Sequence, residues 1–125
     1  GENKQYVIPV RGKGLWGPIW GYVALKNDLN TIYGTNFSHD SETPGLGAEI
    51  ANRPFQQQFV GKKIFNDEGE FVSVDVMKGG APSDAPHAVD AISGGTITSN
   101  GVDNMLEDVI GAYIPYLKEQ RKNND

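Results

Sequence analysis

The alternation of hydrophobic and polar residues predicts three consecutive β-strands in the first third of the chain. Residues 5–10 are strand-like, residues 19–25 form an apolar run of aromatic and β-branched residues, and residues 31–37 form a third such run. Short segments with Gly, Asn and Asp separate the runs, which is typical of turns between neighbouring strands. The pattern therefore predicts an antiparallel meander.

The middle of the chain is predicted to be less regular. Residues 39–47 (HDSETPGLG) are expected to form a loop, and residues 48–58 one or two short helical turns interrupted by Pro54. Residues 71–76 alternate in polarity, which predicts a further strand with the valines on its apolar face. Residues 78–91 are rich in Gly, Pro, Ala and Ser and are expected to form a loop.

Apolar residues at three- and four-residue spacing predict a long amphipathic helix near the C-terminus. We expect it to begin near Ser99 or Asn100, to pack one face on the sheet, and to kink in its last turns at Pro115. The predicted fold class is α+β: a twisted, mostly antiparallel sheet packed by a C-terminal helix and short helical turns. The apolar stripe of the helix consists of Val102, Met105, Leu106, Val109, Ile110, Tyr113 and Leu117.

The composition is that of a globular protein, and we expect one domain over residues 1–125, with 38% hydrophobic and 22% charged residues. The net charge is −5 and the 11 Lys and Arg residues are scattered, which argues against a nucleic-acid partner. No apolar run approaches the ~18–20 residues that cross a bilayer. The absence of cysteine excludes disulfides and thiolate-bound metal centres.

Several short motifs in the chain match catalytic, dinucleotide-binding or metal-binding patterns only in part, and their flanking residues argue against these functions. GKGLWG, residues 12–17, matches G-x-G-x-x-G, but a strand-like run follows it instead of the helix that a dinucleotide site requires. His39 and His87 are isolated, so no metal site is predicted, and nothing resembles a hydrolase nucleophile elbow. The acidic residues lack calcium-loop spacing and are interpreted as solvated surface. They are Asp40, Glu42, Asp67, Glu68 and Glu70.

Three segments remain as candidates for ligand binding. In DAISGGTITSNGVDNML, residues 90–106, small flexible residues precede the predicted helix, which suits either a phosphate or a plain helix cap. In ETPGLG, residues 42–47, Thr43 and the N–H groups near Leu46 and Gly47 either face an anion or polar ring edge, or form only a tight turn. Trp16 and Trp20 are either core residues or a wall for a flat ligand.

These segments together carry a resemblance to a known family. GLWGPIWGYVAL, HDSETPGLGAEI and DAISGGTITSNGV occur in the order found in the flavin-binding domain of the C subunit of the sodium-translocating NADH:quinone oxidoreductase. The chain closely resembles that domain over residues 6–117, and more distantly resembles the G subunit of Rnf complexes. In that family a separate flavin transferase attaches FMN through a phosphoester to the last threonine of an Asp-x-x-Ser/Thr-Gly-Ala-Thr motif.

The resemblance implies which residues bind the cofactor. Thr96 stands at the attachment position, Gly95 replaces the usual Ala of the motif, and Thr98 is the alternative hydroxyl. We expect residues 42–47 and 93–96 to form two lips of one cleft, with Leu15 and Trp16 at its apolar end and Lys78 as a counter-charge for the phosphate. The remaining expected FMN-binding residues are Asp90, Ser93, Gly94, Glu42, Thr43, Leu46 and Gly47.

The resemblance also implies a function. The domain would transfer electrons through covalent FMN, without catalytic residues of its own and without binding NADH, in a complex that reduces quinone and pumps sodium. Its expected partners are the other subunits and the flavin transferase. We expect it to be a soluble fragment of a longer subunit, anchored by a missing N-terminal transmembrane helix, with the domain on the periplasmic side of the inner membrane. The alternatives are an unmodified extracytoplasmic docking module and a free-standing flavoprotein of the same fold.

Overall fold

A three-stranded antiparallel sheet forms the first third of the chain. The computed structural model describes the backbone of residues 5–124 and the side chains of residues 5–120. The strands are β1 (Tyr6–Lys13), β2 (Pro18–Leu25) and β3 (Ile32–His39), in the order β1-β2-β3. The predicted meander is therefore confirmed.

The two faces of this sheet differ in burial. The face that includes Ile8, Val23 and Phe37 is fully buried and forms one wall of the core. The opposite face exposes Val7 and Tyr22, so the period-2 alternation of the sequence corresponds to one buried and one open face.

Short helical segments cover the free edge of β3. A 3-10 helix (Gly47–Ala51) precedes α1 (Arg53–Gln57), and Pro54 lies in the first turn of α1, where its missing N–H costs no hydrogen bond. The Gln56 side-chain oxygen accepts the N–H of Phe37 at 2.5 Å, and the Gln56 carbonyl accepts the Thr35 hydroxyl. These bonds occupy polar groups along an edge that otherwise exposes them.

The predicted bounds of the strand at residues 71–76 are wrong. Only β4 (Asp75–Met77) is a strand, and it pairs in parallel with β5 (Ala88–Asp90), which lies inside the predicted 78–91 loop. Ser73 interrupts the extended backbone because it adopts a left-handed conformation with φ 59°. Val74 and Val76 are buried as predicted, whereas Val72 is exposed.

The C-terminal helical region begins earlier than predicted and is interrupted. It consists of α2 (Thr96–Met105), a π-helical turn (Leu106–Ile110) and α3 (Ile114–Asn124). The interruption falls at Tyr113 and not in the last turns, because Pro115 has no N–H to continue the helix from α2 and instead lies in the first turn of α3. Most of the predicted apolar stripe is in the core, namely Val102, Met105, Leu106, Ile110 and Leu117, with Val109 packed against it.

The predicted α+β class is confirmed by this arrangement of sheet and helices. The helix α2 packs on β1, with Gly101 close to the Lys13 carbonyl at the end of that strand. Among the described residues, no helix has the length and apolar character needed to cross a bilayer.

Candidate functional site

Three segments that are distant in the sequence meet in one cleft of about 250 Å³. They are the turn after β1, the loop after β3 and the first turn of α2. The prediction that residues 42–47 and 93–96 lie side by side, with Leu15 and Trp16 beside them, is confirmed for residues 94–96 and is wrong for Ser93, which lies outside the lining. The cleft is lined by Leu15, Trp16, Glu42, Thr43, Leu46, Gly47, Gly94, Gly95, Thr96, Ile97 and Thr98.

The start of α2 presents backbone donors to this cleft. Gly95 is the N-cap residue and supplies no side-chain cap, and the first hydrogen bond of the helix runs from the Ser99 N–H to the Gly95 carbonyl at 2.9 Å. The N–H groups of Thr96, Ile97 and Thr98 precede that bond and have no carbonyl one turn earlier in the helix. The helix dipole adds partial positive charge at the same place, so this end of the cleft favours an anion.

The hydroxyl groups of the 93–99 segment have different environments. Thr96 is half-buried and lines the cleft, whereas Thr98 is 2% exposed and donates a hydrogen bond to the Glu42 carboxylate. Ser99 is fully buried, and its Oγ accepts the N–H of Ile92 at 3.0 Å. Ser93 is exposed and lies in a neighbouring groove instead. Thr96 is therefore the hydroxyl of this segment that is best placed to react with a ligand in the cleft.

Glu42 is buried in the wall of the cleft, so its interpretation as solvated surface is wrong. Its carboxylate accepts the N–H groups of Leu15 at 3.0 Å and Trp16 at 2.8 Å, in addition to the Thr98 hydroxyl. Burial by itself raises the pKa of Glu42. The hydrogen bonds from Thr98, and then from the N–H groups of Trp16, Leu15 and Gly17, outweigh burial and hold the pKa below its ordinary value.

Exposed apolar side chains form the other part of the cleft. Trp16 is 65% exposed, which excludes its interpretation as a core residue, and it lines the cleft. Leu15, Leu46 and Ile97 are also exposed around the same opening. Trp20, by contrast, lies in a groove on the outer face of the sheet beside Arg11 and Tyr22.

Ile97 is a site residue that the sequence predictions missed. It is an apolar residue at the start of α2 that falls outside the buried stripe, and it lines the cleft. The sequence contains one signal for this position: Ile97 is an apolar residue on the otherwise polar side of the helix. Packing in the core does not account for such a residue, which makes it a candidate for ligand contact.

Three of the predicted site residues are not part of the cleft lining. Asp90 ends β5, and its Oδ1 accepts the N–H of Ala81 at 2.6 Å. Lys78 directly follows β4 and is exposed, and Ser93 lines a separate groove with Gly45 and Ile92. Of the motif positions, Asp90 and Ser93 therefore lie outside the cleft lining, whereas Thr96 is part of it.

The glycines of the motif fit tightly against the opposite lip. Gly94 has φ +75°, a conformation that favours glycine, and a Cβ atom there would lie 2.7 Å from Leu46 Cδ2. Gly95 has an ordinary φ of −122°, and a Cβ atom there would lie 3.1 Å from Ile92. Alanine at position 95 is therefore compatible with the backbone but needs a shift of a few tenths of an ångström in its neighbours.

The chemistry of the lining fits a flavin mononucleotide. A helix N-terminus and a hydroxyl stand at one side, which suits a phosphate, and exposed aromatic and aliphatic side chains stand at the other, which suits a planar ring. Gly47 is buried, and a Cβ atom there would contact the Thr98 hydroxyl, so glycine at this position lets the loop after β3 pack closely against the first turn of α2.

Two solved structures have the same fold as this chain. The chain superposes with a TM-score of 0.86 on the C subunit of the Na(+)-translocating NADH-quinone reductase of Parabacteroides distasonis, at 52% identity over 92% of this chain and 57% of that chain. It superposes equally well, with a TM-score of 0.86, on NqrC of Shewanella oneidensis, at 36% identity over 94% of this chain and 55% of that chain.

Comparison with known sequences leads to the same group of proteins. The chain is 46% identical over 121 residues to the C subunit of the Na(+)-translocating NADH-quinone reductase of Neisseria meningitidis, covering 95% of this chain and 46% of that protein. It is 40% identical over 124 residues to the corresponding protein of Yersinia pestis, covering 98% of this chain and 46% of that protein. The chain therefore spans about half the length of these relatives. A family model described as the FMN-binding domain matches residues 14–111, and the chain belongs to this FMN-binding family.

Proposed function

We propose that this chain is an electron-transfer domain that carries FMN covalently on Thr96. The observation that carries the proposal is the position of Thr96. It is the motif hydroxyl that lines the cleft, in the first turn of a helix whose side-chain cap is absent. The neighbouring Thr98 hydroxyl is buried and already donates to Glu42, which makes it a poor acceptor for a phosphoryl group.

The proposed attachment is a phosphoryl transfer with FAD as the donor, catalysed by a separate flavin transferase. The Thr96 Oγ1 loses its proton and forms a bond to the phosphorus of the FMN half, while the pyrophosphate P–O bond breaks and AMP leaves. The product phosphodiester keeps one negative charge. The N–H groups and dipole at the start of α2 favour that charge, without requiring a cation such as Lys78.

The other residues of the cleft would orient the ring and limit its contact with water. Leu15, Trp16, Leu46 and Ile97 offer apolar surface for this purpose. The flavin, when bound, supplies the acceptance and donation of electrons, which no side chain of this domain can provide.

The wider role follows from the relatives' names and is proposed for this chain. Those relatives are subunits of an Na(+)-translocating NADH-quinone reductase. We propose that this chain forms one flavin domain of such a complex, contacts its other subunits, and passes electrons between them without binding NADH. A membrane anchor and a position on the periplasmic side belong to the same proposal, as does the coupling of electron transfer to sodium transport.

Mass spectrometry after co-expression with the flavin transferase tests the attachment. We expect the mass of FMN minus water on the peptide that contains residues 90–99, and flavin fluorescence in the denatured protein band. Thr96→Val should abolish both signals, and Thr96→Ser, which keeps the hydroxyl, should retain them. Modification at Thr98 or Ser93, or none at all, would refute the proposal. Absence of modification would favour the docking-module alternative, and turnover without other subunits would favour a free-standing flavoprotein.

A further inference from the structure

A single carboxylate joins two walls of the cleft. Glu42 accepts hydrogen bonds from the Leu15–Trp16 turn on one side and from the first turn of α2, through Thr98, on the other. These groups are separated from Glu42 by 26 to 56 positions in the sequence. One side chain therefore determines how two distant segments stand relative to each other.

The backbone around Glu42 is packed to accommodate the carboxylate. A Cβ atom at Gly14 would lie 2.7 Å from Glu42 Oε1, and a Cβ atom at Gly47 would lie 3.0 Å from the same oxygen. Side chains are thus disfavoured on both sides of the carboxylate. Such close packing is not needed around a solvated surface acid, and it indicates that the fold specifies where this carboxylate lies.

The carboxylate also brings a lasting negative charge to the cleft. Its hydrogen-bond donors are backbone N–H groups and a hydroxyl, which are dipoles and not cations, so they stabilise the ionised form without cancelling its charge. A titratable neighbour is His39, whose Nδ1 accepts the backbone N–H of Glu42 at 3.1 Å.

We propose that Glu42 is the positioning residue of the flavin cleft. It holds the Leu15–Trp16 turn against the start of α2 and places a fixed negative charge beside the bound ring. The second half of the proposal rests on the proposed function, because it requires a flavin in this cleft. Reduction adds electrons to the ring, and a nearby negative charge disfavours that addition, so Glu42 should lower the reduction potential of the flavin.

The positioning role is testable in the unmodified chain by amide hydrogen exchange measured with NMR. In Glu42→Gln we expect the Leu15 and Trp16 amides to exchange about tenfold faster or more, because the substituted amide group offers one acceptor in place of two carboxylate oxygens. Glu49→Gln is the matched control, since it removes a nearby carboxylate whose hydrogen bond is to Asn52. Exchange at Leu15 and Trp16 that is unchanged in Glu42→Gln would overturn the positioning role.

A second variant separates the two walls. Thr98→Val removes only the hydroxyl that reaches Glu42. The Ser99 amide, which closes the first turn of α2 on the Gly95 carbonyl, should then exchange faster, while the Leu15 and Trp16 amides keep their protection. If Glu42→Gln does not fold, Thr98→Val alone tests the positioning role, and an unchanged exchange rate at Ser99 would contradict the proposal.

The electrostatic role is measured on the flavin-bearing chain. We expect the flavin midpoint potential to be more positive in Glu42→Gln than in wild type, and unchanged in Glu49→Gln. No shift, or the same shift in both variants, would exclude a specific effect of Glu42. If no variant and no wild-type chain accepts flavin, the proposed function fails, whereas the exchange experiment still decides whether Glu42 positions the cleft.

Discussion

Replacing Trp16 by leucine distinguishes a residue that contacts the ligand from one that holds the fold together. Because Trp16 is 65% exposed, only about a third of its surface is buried in the folded chain. An aromatic side chain buries ~150–250 Å² when it is fully inside, so a third corresponds to ~50–80 Å² and to ~1–2 kcal/mol at ~25 cal/mol per Å². Leucine retains part of that contact, and we expect Trp16→Leu to cost about 1 kcal/mol or less in the free energy of unfolding.

The flavin should respond much more strongly than the fold. If Trp16 borders the ring, its removal changes stacking and desolvation, which affect the oxidised and reduced rings differently. We therefore expect a shift in the absorption spectrum or midpoint potential of the flavin-bearing chain. Trp20→Leu is the matched control, because Trp20 lies on the outer face of the sheet and should leave the flavin spectrum unchanged.

Urea denaturation followed by circular dichroism measures the stability of each variant, since the far-ultraviolet signal comes mainly from the peptide backbone. Phe59→Ala provides the scale for a true core residue: Phe59 is fully buried between Phe37 and Phe55, with ring centroids 5.5 and 5.4 Å away, and its truncation should cost ~3–5 kcal/mol. A loss of ~3 kcal/mol or more in Trp16→Leu, with unchanged flavin properties, would refute the assignment of Trp16 to the cleft.

Three further variants test the structure around the site and the core. Glu42→Gln should lower the unfolding free energy of the unmodified chain by about 1–3 kcal/mol at neutral pH through an unsatisfied donor. The folded pKa of Glu42 is below its ordinary value of 4.5, so the wild-type chain loses the stabilisation by ionised Glu42 as the pH falls below 4.5. The difference in unfolding free energy between wild type and Glu42→Gln, measured by urea denaturation, should therefore shrink at low pH. A difference that stays constant with pH would contradict the hydrogen-bonded, ionised state of Glu42. Gly47→Ala should lower the free energy of unfolding by ~1–3 kcal/mol and reduce flavin attachment, because the new Cβ contacts the Thr98 hydroxyl. Gly34→Ala is the control: a Cβ there has open space, so stability and attachment should change little. Ser73→Gly should raise the urea midpoint and stabilise the chain by ~1 kcal/mol or more. The substitution relieves a left-handed φ and removes a buried hydroxyl that has no hydrogen-bond partner in the described part of the chain. A lower urea midpoint would contradict this prediction.

The elements that the sequence predicted well are those with a repeating pattern. The alternation in residues 6–39 identified the meander because one face of that sheet is buried and the other is open. The prediction failed over residues 71–76, where one residue, Ser73, takes a left-handed conformation that its side chain does not signal. It also missed β5, since three residues with a parallel partner are too few to show a period.

Some parts of the candidate site could be predicted from the local sequence, and others depend on the tertiary fold. The flexible hydroxylated segment at the start of α2 was recognisable from its residues, and the resemblance paired it with residues 42–47 as the other lip of the cleft. The burial of Glu42 was not predictable, because a carboxylate in a polar loop has the same local sequence whether it is solvated or enclosed. Its role depends on the Leu15–Trp16 turn and on Thr98, which the chain brings close only through tertiary packing.

The size of the cleft offers a physical reason for the proposed covalent attachment. Its volume of about 250 Å³ is below the ~300–1,000 Å³ of pockets that enclose drug-sized ligands, and its apolar side chains are largely exposed. A flavin held there would keep part of its ring accessible, which suits electron exchange with a partner but weakens retention by contacts alone. The proposed phosphodiester to Thr96 would make binding intramolecular, so that a shallow cleft would need only to orient the ring. On this argument, cleft variants such as Trp16→Leu should alter the properties of the attached flavin without releasing it, and release on denaturation would show that the tether is absent.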